Sequence, residues 1–262
     1  MSISMAAFLI VPILAPSAGA ALLAILPWRV VFWVPAGLAI LLMLWCRRLP
    51  ETLLPDRRRP LTWKAVTRAG REVFTHRVTV GLIVSMTFIF GIMNAYLAGS
   101  EVILSDVYGY GTWFPLFFGC IAVLFAVMSL SNARLVGRFG AVSLIRREAM
   151  IGIGTSALLM LVGLVNGGRP NFWLFSAAIC VSIPMAQAVV PISNTLAMSP
   201  LPHVAGTASS IIGTITFAGG ALLGNLVTSR FNGTVRPFGI FVVGYYAVGA
   251  LFILWATRRN RR

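Results

Sequence analysis

Residues 78–100 read VTVGLIVSMTFIFGIMNAYLAGS, a run that carries no formal charge. A helix that spans the hydrocarbon core of a bilayer needs about 20 predominantly apolar residues. A strand of a membrane barrel would instead alternate polar and apolar residues over about 10 positions. This run is apolar throughout, so it predicts one transmembrane helix.

Similar runs recur along the whole chain. Runs without a formal charge cover residues 1–28, 30–46, 107–133, 149–168, 170–229 and 237–257. Pro200 and Pro202 interrupt the run at 170–229, which is long enough for two helices. We therefore predict an all-α polytopic membrane protein with eight transmembrane helices. Their predicted ranges are 3–26, 28–46, 78–101, 113–135, 147–165, 171–197, 206–229 and 238–257.

The composition excludes several other classes of protein. Of the 262 residues, 58% are hydrophobic and 10% are charged, whereas a soluble domain has about 45–50% apolar and about 25% charged residues. A lone soluble domain and a disordered chain are therefore excluded. The net charge is +15, but the basic residues flank the predicted helices and form no single patch. No nucleic acid is therefore predicted as a partner.

The arginines also predict the orientation in the membrane. Connections alternate between the two sides, and one side collects 17 Lys and Arg residues against 4 on the other. The positive-inside rule places the richer side in the cytoplasm. Both termini are then predicted to be cytoplasmic.

The connection at 47–77 is the longest and divides the chain into two parts. Residues 1–46 are predicted to supply two helices, and residues 78–262 are predicted to form a six-helix bundle. Within the connection, Val66, Ala69, Val73 and Phe74 recur at helical spacing. This spacing predicts a short amphipathic helix on the membrane surface. A plain solvated linker that determines topology is the alternative.

Small residues and prolines cluster in two of the predicted spans. Gly220 and Gly224 form a G-x-x-x-G pair, which lets two helices approach closely. Pro16 and Gly19 lie in the first span. Such positions are either packing surfaces or the bending points of transporter helices, and their recurrence in both parts favours bending.

Several short motifs, taken together, resemble one transporter family. The motifs are Pro12-Ile13-Leu14-Ala15-Pro16-x-x-Gly19, Trp28-Arg29-x-x-Phe32-Trp33, Leu49-Pro50-Glu51-Thr52-Leu53, Ala95 to Ser100, Val107-Tyr108-Gly109, Asn132 to Gly140 and Gly206 to Ser210. Their joint pattern resembles the Bcr/CflA drug-resistance branch of the major facilitator superfamily, and it covers essentially the whole chain. Pro16 and Gly19 match the antiporter motif of that family's fifth helix.

The resemblance implies a fold and an activity. The eight predicted spans match helices 5–12 of a twelve-helix family member, so an N-terminally shortened chain is expected. The implied activity is drug:proton antiport in the bacterial inner membrane. A small hydrophobic or amphiphilic drug-like compound would be exported by alternating access while protons move inward. A vestigial or structural membrane protein without transport activity is the alternative.

Polar residues within the predicted spans are candidates for binding the substrate. Asn94, Tyr96, Gln187 and Asn225 lie inside three of the spans, and in this architecture substrate binds near the midplane. Interhelical hydrogen bonding is the alternative role for each of them.

Two acidic residues lie close to a predicted span. Glu101 is placed at the outer edge of the third span and is the proton-coupling candidate, with an exposed interface residue as the alternative. Glu148 is placed at the cytoplasmic end of the fifth span, beside Arg146 and Arg147. A local ion pair or a favourable charge at the helix N-terminus is expected for it, and no acid is expected in the middle of a helix.

The sequence offers no catalytic or metal-binding pattern. Cys46, Cys120 and Cys180 are isolated, so no metal site is predicted. His203 precedes Ser209 by six residues, but the surrounding sequence is not G-x-S-x-G. We therefore predict neither an enzyme nor a cofactor.

Overall fold

A computed structural model describes residues 19, 22–23, 25–50 and 62–258 of the chain. These residues form eight α-helices and no strand, which confirms the predicted all-α fold. The helices are α1 (Val30–Cys46), α2 (Trp63–Thr75), α3 (Arg77–Val102), α4 (Phe114–Phe139), α5 (Ala141–Leu164), α6 (Phe172–Met198), α7 (Ala205–Thr228) and α8 (Arg236–Ala256). A π-helical turn at Ile103–Val107 extends α3.

Six of the helices, α3 to α8, are long and apolar enough to cross a membrane. They correspond to the six predicted spans from 78–101 onward, so a polytopic membrane protein is confirmed. Helix α1 is apolar but shorter, at 17 residues. The predicted first span at 3–26 falls mostly outside the described residues.

The predicted start of the fifth span is wrong by six residues. Helix α5 begins at Ala141 and not at residue 147. Gly140, at φ 77° and ψ 149°, separates α5 from the end of α4. Arg146 and Arg147 lie within α5 with exposed side chains. A charge limits the apolar core of a membrane helix but does not end the helix itself, because long arginine side chains can reach toward water.

The chain forms two compact units, Met1–Ala65 and Val66–Arg262. Helix α1, in the first unit, has no buried side chain among the described residues. In the second unit α3 is central and packs against α6, α7 and α8. Helix α5 packs against α6 and α8, and α4 packs mainly against α6. The fully buried core of this unit includes Leu82, Met86, Ile89, Ile145, Leu159 and Ile183.

The amphipathic helix predicted in the connection is present as α2. Its Ala69 and Val73 are buried within the second unit at 2% and 0% exposure. Glu72 lies 2.5 Å from His203, in the connection between α6 and α7. The prediction that this helix lies with its apolar face on the membrane surface is therefore wrong for Ala69 and Val73, because these side chains pack on protein. Phe74, which was assigned to the same face, is 58% exposed.

An aromatic cluster lies where the segment after the C-terminal end of α3 meets the N-terminal end of α6. The ring centroids of Tyr108 and Tyr110 lie 5.4 Å and 4.9 Å from that of Phe172. Burial raises the pKa of Tyr108 to about 12. Aromatic residues are enriched where helices leave the hydrocarbon core, so this cluster is consistent with one edge of the membrane.

Candidate transport site

Helices α3 and α7 approach so closely that only glycine fits between them. A Cβ atom at Gly220 would lie 2.6 Å from Phe90 Cβ, and one at Gly224 would lie 2.5 Å from Asn94 Cβ. We call these four residues the glycine seam. The close approach predicted from the G-x-x-x-G spacing is therefore present, and α3 is the partner helix.

A second face of α7 is exposed and carries small or polar side chains. Every exposed position of this face is three or four residues from the next, so the side chains form one stripe along the helix. The polar stripe consists of Ser210, Thr214, Ala218, Ala221 and Asn225. Asn225 follows Gly224 directly, so the polar stripe begins beside the glycine seam.

The two candidate residues on α3 differ in their surroundings. Asn94 is half-buried in the glycine seam, and its Nδ2 donates a hydrogen bond to the Phe90 carbonyl at 2.9 Å. Tyr96 is 1% exposed and stacks on Phe118 of α4, with 5.7 Å between ring centroids. Its hydroxyl has no hydrogen-bond partner among the described residues. Asn94 thus lies in the contact between α3 and α7, whereas Tyr96 is a core residue.

None of the other sequence candidates belongs to α7. Gln187 of α6 is half-buried, and its Nε2 has no hydrogen-bond partner within the described part of the chain. Glu101 is exposed one residue before the end of α3. Pro16 lies outside the described residues. Apart from its chain neighbours and the backbone of its own helix, no described atom lies within 4 Å of the Cβ position of Gly19, and the role of this residue stays a prediction.

The structure also reveals a buried acid that the sequence had placed at a helix end. Glu148 lies two turns inside α5 and is 3% exposed. Asn132 of α4 lies beside its carboxyl group, and the Tyr246 ring of α8 packs against Gly152, one helical turn from Glu148. We call Glu148, Asn132 and Tyr246 the acid cluster. The expected ion pair with Arg146 or Arg147 is absent among the described residues.

The spacing of apolar residues around Glu148 indicates that this acid lies on the buried face of α5. Leu144, Ile145, Glu148, Ala149 and Gly152 are all buried. Their separations fit one face of a helix, and Glu148 is on that face. Reading the segment as a helix from Gly140 onward, with the arginines on its other face, would have placed the acid inside the bundle.

Comparison with known proteins agrees with this architecture, which is that of a polytopic membrane transporter. The family model of the Major Facilitator Superfamily matches residues 1–224. The chain therefore belongs to the major facilitator superfamily.

Two curated relatives are similar over almost the whole chain. A bicyclomycin resistance protein homolog of Haemophilus influenzae is 26% identical over 255 residues, which are 97% of this chain and 63% of the relative. YdgK of Bacillus subtilis, an uncharacterized MFS-type transporter, is 26% identical over 259 residues, which are 96% of this chain and 62% of the relative. The chain thus spans less than two thirds of the length of either. The first similarity confirms the resemblance to the Bcr/CflA branch.

Proposed function

We propose that this chain belongs to an exporter of small hydrophobic or amphiphilic compounds that is driven by inward movement of protons. It would work in the bacterial inner membrane by alternating access, with both termini in the cytoplasm. The superfamily makes it a transporter in a lipid bilayer. The similarity to a bicyclomycin resistance homolog and the unequal distribution of arginines support the finer statements.

The observation that carries the proposal is the polar stripe of α7. A side chain that faces lipid tails should be apolar, since hydrocarbon offers it no hydrogen bond. Thr214 and Asn225 are exposed, while Leu222, on a neighbouring face of the same helix, is 73% exposed and apolar. These faces suit two different surroundings, a substrate path for the stripe and lipid for Leu222.

The glycine seam suits a moving helix. Without side chains between them, α7 and α3 meet through backbone and Cβ atoms, and such a contact can slide or rock with little repacking. Gly220 and Gly224 would then serve as the pivot for the polar stripe. In the first unit, Pro16 and Gly19 are proposed to have the corresponding role.

Export can be tested in a bacterium that lacks its own drug pumps and expresses the whole open reading frame of this protein. We expect uncoupler-sensitive efflux of ethidium and resistance to bicyclomycin. Asn225→Leu and Thr214→Val should reduce both, whereas Leu222→Ala, the matched control on α7, should leave them unchanged. Efflux at the empty-vector level from correctly inserted protein would contradict the proposal.

A further inference from the structure

The acid cluster contains polar groups whose hydrogen bonds are incomplete. Glu148 Oε2 and the Tyr246 hydroxyl are both buried, and neither has a hydrogen-bond partner among the described residues. Asn132 Nδ2 donates to the Ala188 carbonyl of α6 at 2.7 Å. Four helices therefore meet around one carboxyl group, and one oxygen of that group accepts no hydrogen bond from the described residues.

The cluster lies inside the bundle, away from the helix ends. Glu148 is seven residues after the start of α5, or about 10 Å along the helix. Ala188 and Tyr246 are each ten residues before the ends of α6 and α8, or about 15 Å. The contributing groups thus lie about 10–15 Å from the ends of helices that are long and apolar enough to cross a membrane.

No cation faces the Glu148 carboxyl in the described part of the chain. Asn132 approaches it from α4, the Tyr246 ring of α8 packs one turn further along α5 at Gly152, and α6 presents the Ala188 carbonyl, which accepts from Asn132. Arg146 and Arg147 precede it on α5 with exposed side chains. An unpaired carboxylate is costly in such a place, and an intramembrane acid is a functional candidate.

The chemistry of the cluster suits a proton better than a metal ion. A hard cation needs six or more oxygen ligands, but Asn132 uses its amide nitrogen in this cluster. An amide N–H and a phenol O–H can both donate to a carboxylate once its proton has left. The cluster can therefore hold Glu148 in either protonation state.

We propose that Glu148, and not Glu101, binds and releases the proton that drives export. The O–H bond of the carboxylic acid breaks, the proton passes to water that enters the cluster, and Asn132 and Tyr246 then donate hydrogen bonds to the carboxylate. Water would enter when α4 parts from α6 at the Asn132–Ala188 bond. Pro191 makes α6 easier to bend there, since it cannot bond to the Gln187 carbonyl. The inference rests on the proposed proton-driven export.

Infrared spectroscopy tests the proton site without any transport assay. The whole protein, purified and reconstituted in lipid, should show the C=O band of a protonated carboxylic acid in an apolar setting, and the band should be lost at high pH. Glu148→Gln should abolish it, whereas Glu101→Gln, the matched control, should retain it. A wild-type spectrum without the band, or a band that survives Glu148→Gln, would overturn the proposal.

A second variant tests the same assignment if Glu148→Gln does not fold. Tyr246→Phe keeps the acid and removes the hydroxyl beside it, so the band should shift in frequency. A band with unchanged frequency in this variant would overturn the assignment to Glu148.

A transport measurement separates this inference from the proposed function. In vesicles, Glu148→Gln should lose ethidium movement driven by a proton gradient and retain exchange of ethidium at equal pH. If the wild type moves no ethidium in either assay while the infrared band behaves as expected, the proton site stands and the drug-export proposal fails. If the Glu148→Gln variant still moves ethidium in response to a proton gradient, the coupling role of Glu148 is overturned.

Discussion

The glycine seam and the acid cluster hold the same bundle together in opposite ways. In the seam, Gly220 and Gly224 meet the backbone and Cβ atoms of α3, and no polar side-chain atom is needed across the contact. In the cluster, Asn132 and Glu148 bring amide and carboxyl groups into the core. A contact of the first kind should be sensitive to the size of a side chain and insensitive to pH. A contact of the second kind should be sensitive to hydrogen bonding and charge.

The largest effect is expected in the seam, where a new atom would meet backbone that cannot move aside. A Cβ atom at Gly224 would lie 2.9 Å from the Ala95 nitrogen as well as 2.5 Å from Asn94 Cβ. Gly224→Ala should lower the free energy of unfolding by about 3 kcal/mol, the upper part of the range for overpacking. Denaturant titration in detergent micelles measures this.

Gly213→Ala is the matched control on α7. Apart from backbone of its own helix, no described atom lies within 4 Å of its Cβ position. Alanine should therefore be neutral or stabilise the helix by up to about 1 kcal/mol. Equal losses in the two variants would show that α7 does not depend on close approach at the seam.

Gly152, one turn beyond Glu148, should show a smaller effect that a second substitution can reverse. A Cβ atom there would lie 2.0 Å from Tyr246 Cε1, and this neighbour is a side chain and not backbone. We expect Gly152→Ala to lower the free energy of unfolding by about 2 kcal/mol. Adding Tyr246→Leu should recover part of that loss by removing the ring.

The control for this variant is Gly154→Ala on the same helix. No described atom beyond its own helix backbone lies within 4 Å of that Cβ position, so little change is expected. A double variant no more stable than Gly152→Ala alone would show that the ring is not what the new methyl group meets.

The seam and the cluster also differ in how far the sequence predicts them. The spans follow from runs without charge because a bilayer imposes a minimum apolar length, and six of them appear as long helices. The spacing of Gly220 and Gly224 predicts that α7 makes a close contact with another helix. The partner positions Phe90 and Asn94 cannot be read from that spacing, because they are more than a hundred residues away.

The acid cluster could not be predicted in the same way. Asn132 and Ala188 are 56 residues apart, and only the packing of α4 on α6 brings them together. The adjacent charges of Arg146 and Arg147 predict a helix boundary and so place Glu148 at a helix end. A continuous helix from Ala141 reverses that assignment. Chain-local patterns therefore predict the elements, whereas polar contacts between helices require the packed structure.

Within the cluster, the hydrogen bond from Asn132 to the Ala188 carbonyl should contribute about 1 kcal/mol, as polar contacts between membrane helices do. Asn132→Leu keeps most of the side-chain volume and removes the donor. Ser131→Ala, which removes a bond within α4 to the Val127 carbonyl, is the control and should cost less. Unfolding in micelles compares the two, and equal losses would assign Asn132 a role within its own helix only.

The smallest effect is expected where charge lies at the protein surface. Glu72 and His203 join α2 to the connection before α7, but their side chains are 29% and 49% exposed. A solvated pair contributes roughly 0–1 kcal/mol, so Glu72→Gln should lower the free energy of unfolding by about 0.5 kcal/mol at most. High salt should remove that difference because it screens exposed charges, while the cost of Gly224→Ala should persist. A loss for Glu72→Gln as large as that for Gly224→Ala would mean that α2 is held by its charges and not by buried Ala69 and Val73, whereas a loss unaffected by salt would mean that the pair acts as a neutral hydrogen bond.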